Sequence, residues 1–265
     1  MAASGVLGSF TGKVALITGG SSGIGAATAL LLSKLGCSVA CGGRSGEKLA
    51  KVTQECQQQG KGSEVLAVEG DLSHEKDVKD LLEKTLEKFG KLDILVNCAG
   101  ILPTGTIENT SLQTFDEVMN VNVRAVFYLT SLAVPHLIKT EGCIVNVSSV
   151  NGLRSFPGVL GYNMSKAALD QFTRCVALEL APKKVRCNSV NPGVIVTGLQ
   201  RRGGLDEEAY QKFLEHSKTT HALGRPGEAE EVARAIAFLA SAETAGFITG
   251  ATLPVDGGRH AMCPR

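Results

Sequence analysis

The sequence predicts an α/β fold of the doubly wound kind, a three-layer sandwich in which helices cover both faces of a seven-stranded parallel sheet. Two observations carry the prediction. Short runs rich in Val and Ile alternate with longer segments whose apolar residues recur every three or four positions, the pattern of successive βαβ units. The short runs are almost continuously apolar, as strands are when both of their faces are covered.

Taken in order, strand 13–18 runs into a glycine-rich turn and helix 25–35. Strand 38–41 is followed by helix 47–59, strand 64–68 by helix 75–89, and strand 92–96 by a long helix over 115–138. Strand 143–147 leads to helix 162–180, strand 185–190 to helix 228–240, and strand 252–255 closes the sheet. Each helix has an apolar stripe at three- and four-residue steps, and the crossovers between parallel strands are right-handed by rule. The stretch 197–223 is polar and interrupted by Arg201, Arg202, Gly203 and Gly204, which reads as a mobile lid. No repeat or Pro/Gly/Ser linker divides the chain, so one domain is expected over 1–265 with its core over 11–258.

Lys and Arg number 27 against 26 Asp and Glu. No net field is available to attract nucleic acid or an anionic membrane, so a small-molecule partner is expected. The eight cysteines are scattered, with no CxxC pair and no clustered histidines, and read as reduced packing thiols with no metal site. The start, 1–10, lacks the charged and apolar regions of a signal peptide. Together with free thiols this predicts a cytoplasmic location. No unbroken apolar run approaches the roughly 18 residues that cross a bilayer.

The first strand leads directly into Gly19-Gly20-Ser21-Ser22-Gly23-Ile24-Gly25 and then a helix. Glycines there permit a sharp turn and close backbone approach, and unpaired amides at 24–27 face an anion such as a pyrophosphate. A dinucleotide fits. An acidic residue at the end of the second strand would bind adenosine ribose hydroxyls, whereas an arginine accommodates the phosphate of NADP. The sequence there reads Cys41-Gly42-Gly43-Arg44-Ser45, with no carboxylate, so Arg44 and Ser45 favour NADP(H). The alternative is that Arg44 is a surface arginine opening the next helix.

Tyr162 and Lys166 lie four apart and share one helix face. A free phenol titrates near pH 10, and neighbouring Lys166 together with a cationic oxidised nicotinamide would favour phenolate, which would make Tyr162 a usable acid/base. Ser149 and Ser148 both lie at the carboxyl end of strand 143–147, where open α/β sheets bind ligands. Either hydroxyl could polarise a carbonyl, and chemistry does not choose between them. Asn120 and Asn122 are similarly paired rivals within the long helix.

These motifs resemble the short-chain dehydrogenase/reductases, a Rossmann-fold family, in their single-domain form. The resemblance runs from 13 to 258 and includes Thr18-Gly19-x-x-x-Gly23-x-Gly25, Asp71-Leu72, Asn97-Cys98-Ala99-Gly100, Asn122, Ser149, Tyr162-x-x-x-Lys166, Pro192-Gly193 with Thr197, and Asp256-Gly257-Gly258. By resemblance Ser149, spaced 13 residues before the tyrosine, binds the substrate oxygen and Asn122 holds a water that links Lys166 to solvent. Lys166 also binds nicotinamide ribose hydroxyls, while the Ile195 backbone and Thr197 hydroxyl hold the carboxamide. Asp71 is the implied adenine contact, although it could instead cap the helix that follows. The segment Asn97, Ala99 and Gly100 flanks the cofactor. The family commonly has Asn where Cys98 stands, which questions local hydrogen bonding more than catalysis.

The function implied is NADP(H)-dependent hydride transfer between nicotinamide and a carbonyl or secondary alcohol, similar to 3-oxoacyl-carrier-protein reductases and carbonyl reductases. The alternatives are a non-catalytic NADP(H)-binding scaffold or redox sensor, and an epimerase or dehydratase that recycles its cofactor. Specificity is expected from 101–107, 153–161 and 197–223, with Phe156, Leu160, Leu199 and Phe213 as apolar walls. Helices 115–138 and 162–180 carry a surplus of apolar positions, and the resemblance to proteins that pair these helices into dimers and tetramers implies a homotetramer, with the tail 259–265 near a subunit contact.

Overall fold

The computed structural model describes residues 7–60 and 62–262. Residues 1–6, Cys263 and the end of the tail lie outside them. Seven strands form one sheet: β1 (Val14–Thr18), β2 (Ser38–Gly43), β3 (Val65–Glu69), β4 (Ile94–Asn97), β5 (Cys143–Val147), β6 (Arg186–Pro192) and β7 (Thr252–Val255). Their order is β3-β2-β1-β4-β5-β6-β7 and every pairing is parallel. The chain winds outward from β1 to β3, then crosses to β4 on the other side of β1. That reversal opens a crevice at the carboxyl ends of β1 and β4, where ligands bind in such sheets.

The continuous apolar runs have their explanation in two buried faces. Ala15, Ile17, Val39, Cys41 and Val145 point to one side and pack with Leu32, Leu49 and Ile236. Leu16, Ala40, Leu95 and Ile144 point to the other and pack with Leu81, Leu129, Leu137 and Val176. The α-helices among the described residues are α1 (Gly23–Lys34), α2 (Gly46–Gln59), α3 (Glu75–Phe89), α4 (Leu112–Met119), α5 (Ala125–Thr140), α6 (Val150–Leu153), α7 (Leu160–Leu180), α8 (Leu199–Arg202), α9 (Glu207–Thr220), α10 (Ala229–Ala240) and α11 (Ala242–Ala245).

Three differences from the sequence reading have physical causes. The helix expected over 115–138 begins at Leu112, where the Ser111 hydroxyl accepts from the Thr114 N–H at 3.0 Å. It is broken by a π-helical turn, Asn120–Arg124, a widening that periodicity does not reveal and that recurs at functional sites. The polar stretch 197–223 is largely helical: Asp206 caps α9 by accepting from the Ala209 N–H at 2.8 Å, and the Gly203-Gly204 pair merely separates α8 from α9. Finally, the unbroken-run criterion overlooked that the helical stretch Leu112–Thr140 has a mean hydropathy of 1.3 over 18 residues, apolar enough to cross a bilayer by length and composition. Much of that apolar surface, including Leu129, Ala133 and Leu137, packs under the chain's own sheet.

The Gly224-Arg225-Pro226-Gly227-Glu228 stretch is structural. Glu228 and Glu231 form a reciprocal capping box at the start of α10, and Arg225 grips Glu231 through both guanidinium nitrogens at 2.8 and 2.7 Å. Among the described residues no group of His, Cys, Asp or Glu is arranged to hold a metal ion, and the described cysteines are all unpaired.

Candidate active site

One groove runs across the crevice. Its floor is the glycine turn between β1 and α1. Gly19 adopts φ +66, and a Cβ on Gly25 would lie 2.3 Å from the Gly19 carbonyl oxygen, so the turn closes only with glycine at both places. No side chain caps α1, which leaves its first amides without intrahelical partners and aimed at the groove. The Thr18 hydroxyl accepts from the backbone N–H of Cys98 at 2.9 Å and of Ala99 at 3.0 Å. This pins the segment after β4 over the turn through backbone alone, so Cys98 in place of asparagine costs no contact there.

At one end of the groove β2 delivers Arg44 and Ser45. Ser45 caps α2 by accepting from the Lys48 N–H at 3.4 Å. Arg44 therefore does not open the helix; it lines the groove, with its guanidinium 4.0 Å from the Asp71 carboxylate. Asp71 does not cap α3 either, since its carboxylate accepts from the Ser73 N–H at 2.9 Å and the cap position belongs to His74. Partial burial would raise the Asp71 carboxyl, but the Ser73 backbone and hydroxyl and the Arg44 charge outweigh it and hold it below the usual carboxylate range.

At the other end stand Ser149, Tyr162 and Lys166. The Ser148 hydroxyl donates to the Lys166 carbonyl at 3.2 Å, and that of Ser149 caps α6, accepting from the Asn151 N–H at 3.1 Å and donating to the Asn151 side-chain oxygen at 3.1 Å, and lies beside the phenol. Lys166 Nζ donates to the Val147 carbonyl at 2.8 Å and lies 5.5 Å from the Tyr162 ring centroid. The favourable effect expected of this ammonium on the phenolate meets an opposing effect of burial. Burial pushes Tyr162 up to about 12, with the Ser149 hydroxyl opposing and the Cys98 thiol adding to the rise. Lys166 is itself pushed down to about 8, chiefly by burial. Desolvation disfavours both charged forms.

Of the remaining candidates, Gly19, Ser21, Ser22, Gly23, Ile24, Leu72, Ala99, Gly100, Pro192, Gly193, Ile195 and Thr197 line the groove. Gly25, Asn97 and Asn122 stand behind its wall. Asn97 donates to Asn146 at 2.9 Å. Asn122, with 0% exposure, exchanges two hydrogen bonds with the Ile101 backbone at 2.9 Å and donates to the Ser165 hydroxyl at 3.1 Å. The Asn122 amide thus braces the segment facing Lys166, and Asn120 instead reaches the Ser73 carbonyl at 3.1 Å. Among the expected apolar walls, Leu199 lines the groove. Phe156 and Leu160 line a second hollow beside Leu153 and Met164. Phe213 lines neither.

The sequence reading missed Lys48, Gln200 and Arg202, which line the groove, and His221. His221 is buried; its Nε2 accepts from the Val194 N–H at 3.1 Å and its Nδ1 donates to the Ser217 carbonyl at 2.7 Å. It ties the end of α9 to the loop after β6, and a histidine in a polar stretch carries no sequence signal of that. Burial, then the nearby Arg259 charge, lowers its pKa despite the Ser217 bond and Asp256. Protonation would remove the lone pair that accepts from Val194. The unfolded chain therefore binds this proton more readily, and stability is full above about pH 6.5 and falls as the medium becomes more acid. His221→Gln, able to make both bonds without titrating, is expected to flatten that part of a Tm-against-pH curve, while His221→Leu lowers Tm at every pH.

Residues 19–260 match the family described as Enoyl-(Acyl carrier protein) reductase. The 3-oxoacyl-[acyl-carrier-protein] reductase FabG of Thermotoga maritima is 40% identical over 93% of this chain and 97% of its own. A Caenorhabditis elegans short-chain dehydrogenase/reductase of unknown function, solved with cofactor, superimposes with a TM-score of 0.90 at 36% identity, covering 96% of this chain and 97% of that one. The chain belongs to the short-chain dehydrogenase/reductase family. A 3-ketoacyl-(acyl-carrier-protein) reductase from Brucella melitensis, complexed with NADH, has a TM-score of 0.85 at 36% identity, covering 95% of this chain and all of that one. As a short-chain dehydrogenase/reductase the protein is an oxidoreductase of alcohol and carbonyl groups that works with a nucleotide cofactor. The groove fits such a cofactor on its own chemistry, with free helix amides at its floor and a guanidinium at its end.

Proposed function

We propose that the protein is an NADP(H)-dependent reductase of ketones that runs in reverse on secondary alcohols. The observation that carries this reading is that Ser149, Tyr162 and Lys166 line the same groove as the glycine turn and Arg44. Bound NADP(H) supplies the hydride at nicotinamide C4 and, when oxidised, a positive charge beside the phenol. Ser149 orients the substrate oxygen by hydrogen bond, and the Tyr162 hydroxyl delivers the proton to it in reduction and takes it back in oxidation. Lys166 holds the nicotinamide ribose and returns a proton toward the phenol, and Asn122 keeps the wall behind it in place. The Ile195 backbone and Thr197 hydroxyl hold the carboxamide and so select the ring face. Arg44 and Ser45 take the adenosine phosphate.

The whole chain acts as one domain, with 197–223 as a lid over the substrate. The relatives named for acyl-carrier-protein substrates favour 3-oxoacyl thioesters, and the apolar hollow around Phe156, Leu160 and Met164 suits steroid, retinoid or xenobiotic ketones equally. The test is NADPH oxidation across acyl thioesters, diketones, quinones, steroids and retinoids, with Tyr162→Phe as control. Oxidation of at least one carbonyl, abolished in the control, is expected. Tight NADPH binding with no oxidation of any would favour a scaffold, and substrate turnover without net NADPH loss would favour an epimerase or dehydratase.

Unpaired thiols in the core suit a reducing, cytoplasmic setting. Phe127 at 58% and Leu178 at 77% exposure extend the apolar faces of α5 and α7, a surface that pairing of chains would cover. Light scattering at micromolar concentration is expected to give the mass of four chains, and a monomer mass would reject this assembly.

A further inference from the structure

We infer that Arg202, on the lid helix α8, is a second reader of the adenosine 2′-phosphate, facing it across the groove from Arg44. The inference rests on the NADP(H) reading and goes beyond it, because it assigns the lid a part in cofactor selection.

Adjacent arginines on α8 have divided roles. Arg201 turns away, pairing with Glu207 at 2.8 Å and lying over the Tyr210 ring at 4.0 Å. Arg202 folds back over the root of its own helix. Its Nη1 lies 2.9 Å from the position a Gly198 Cβ would take, and the residue lines the groove together with Arg44 and Lys48. The root of the lid is itself seated on the phosphate-binding turn, with the Thr197 methyl 3.1 Å from where a Gly23 Cβ would stand. Arg202 therefore lines the groove that Arg44 also lines, from a fixed base.

The charges point the same way. Asp71 partly neutralises Arg44, and the Glu69 carboxylate lies close to Gly46. Among the described residues, Arg202 and Lys48 pair with no carboxylate. Two guanidiniums and an ammonium thus converge on one groove with a deficit of negative charge, although like charges repel. Burial and then the Arg44 charge both lower the Arg202 pKa. A dianionic phosphate between them removes the repulsion and offers each guanidinium paired oxygens. A pyrophosphate contact would make Arg202 indifferent to the 2′-phosphate. The Arg44 side of the groove is where that phosphate, and not the pyrophosphate over the glycine turn, would lie.

The test is binding, read by displacement of NADPH fluorescence, for wild type, Arg202→Gln and Arg44→Gln with NADPH, NADH, adenosine 2′,5′-bisphosphate and ADP. Arg202→Gln is expected to weaken NADPH and the bisphosphate about ten-fold, the worth of one charge-assisted contact, and to leave NADH and ADP unchanged. The loss should shrink as salt is raised. Equal weakening of NADPH and NADH, or no weakening of either, overturns the inference. If wild type prefers NADPH and only Arg44→Gln erases the preference, the inference fails while the NADP(H) reading stands. If wild type binds NADH as tightly as NADPH, both fail.

Discussion

Tyr162→Phe is expected to lower kcat about a thousand-fold, within the range that a positioned acid/base contributes, while NADPH affinity stays unchanged. The substitution keeps the ring, which is buried at the groove wall, and removes only the oxygen and its proton. The loss should therefore fall on the chemical step and not on binding. The measurement is steady-state reduction of a carbonyl paired with NADPH titration by fluorescence. The pH dependence follows from the burial of both groups. In carbonyl reduction the phenol, pushed up to about 12, is available as proton donor across the working range. Lys166, at about 8, changes charge within that range. Its ammonium is present below that value and lost above it, so carbonyl reduction is expected to decline as pH rises through about 8. A profile flat to pH 10 would show that Lys166 acts without its charge.

Arg44→Asp is expected to weaken NADPH about a hundred-fold or more, since at least two charge-assisted contacts are replaced by repulsion. NADH should lose little or gain, because a carboxylate at the end of β2 suits ribose hydroxyls. The ratio of kcat/KM for the two cofactors reads the effect directly. The side chain is 61% exposed, so the fold should be unaffected. Unchanged NADPH affinity would return Arg44 to the status of a surface arginine.

Much of the fold was legible because its signals are local. The apolar runs that became β1 to β7 are continuous in sequence, and the glycine turn lies directly between β1 and α1. Tyr162 and Lys166 were legible together because a four-residue step on a helix is a spatial statement. What escaped depends on contacts between distant segments. The bond from the Ser148 hydroxyl to the Lys166 carbonyl, 18 positions away, is one such contact. The π-helical turn at Asn120–Arg124 hides inside an otherwise regular apolar stripe. His221 and Arg202 lie in a polar stretch where nothing distinguishes a solvated charge from one folded over a groove. The raised phenol was missed for a related reason: sequence spacing gives the distance to a neighbouring ammonium, but not the burial that penalises both charges.

The central claim is spatial, that a nicotinamide ring in this groove meets a carbonyl held by Ser149 and Tyr162. A crystal structure of the protein soaked with NADP+ tests it most directly. The expected result is a ring stacked beside Lys166, with C4 facing the Tyr162 hydroxyl across a gap that admits one carbonyl at about 3.5 Å. A dinucleotide bound with its nicotinamide away from the Ser149, Tyr162 and Lys166 wall would contradict the account.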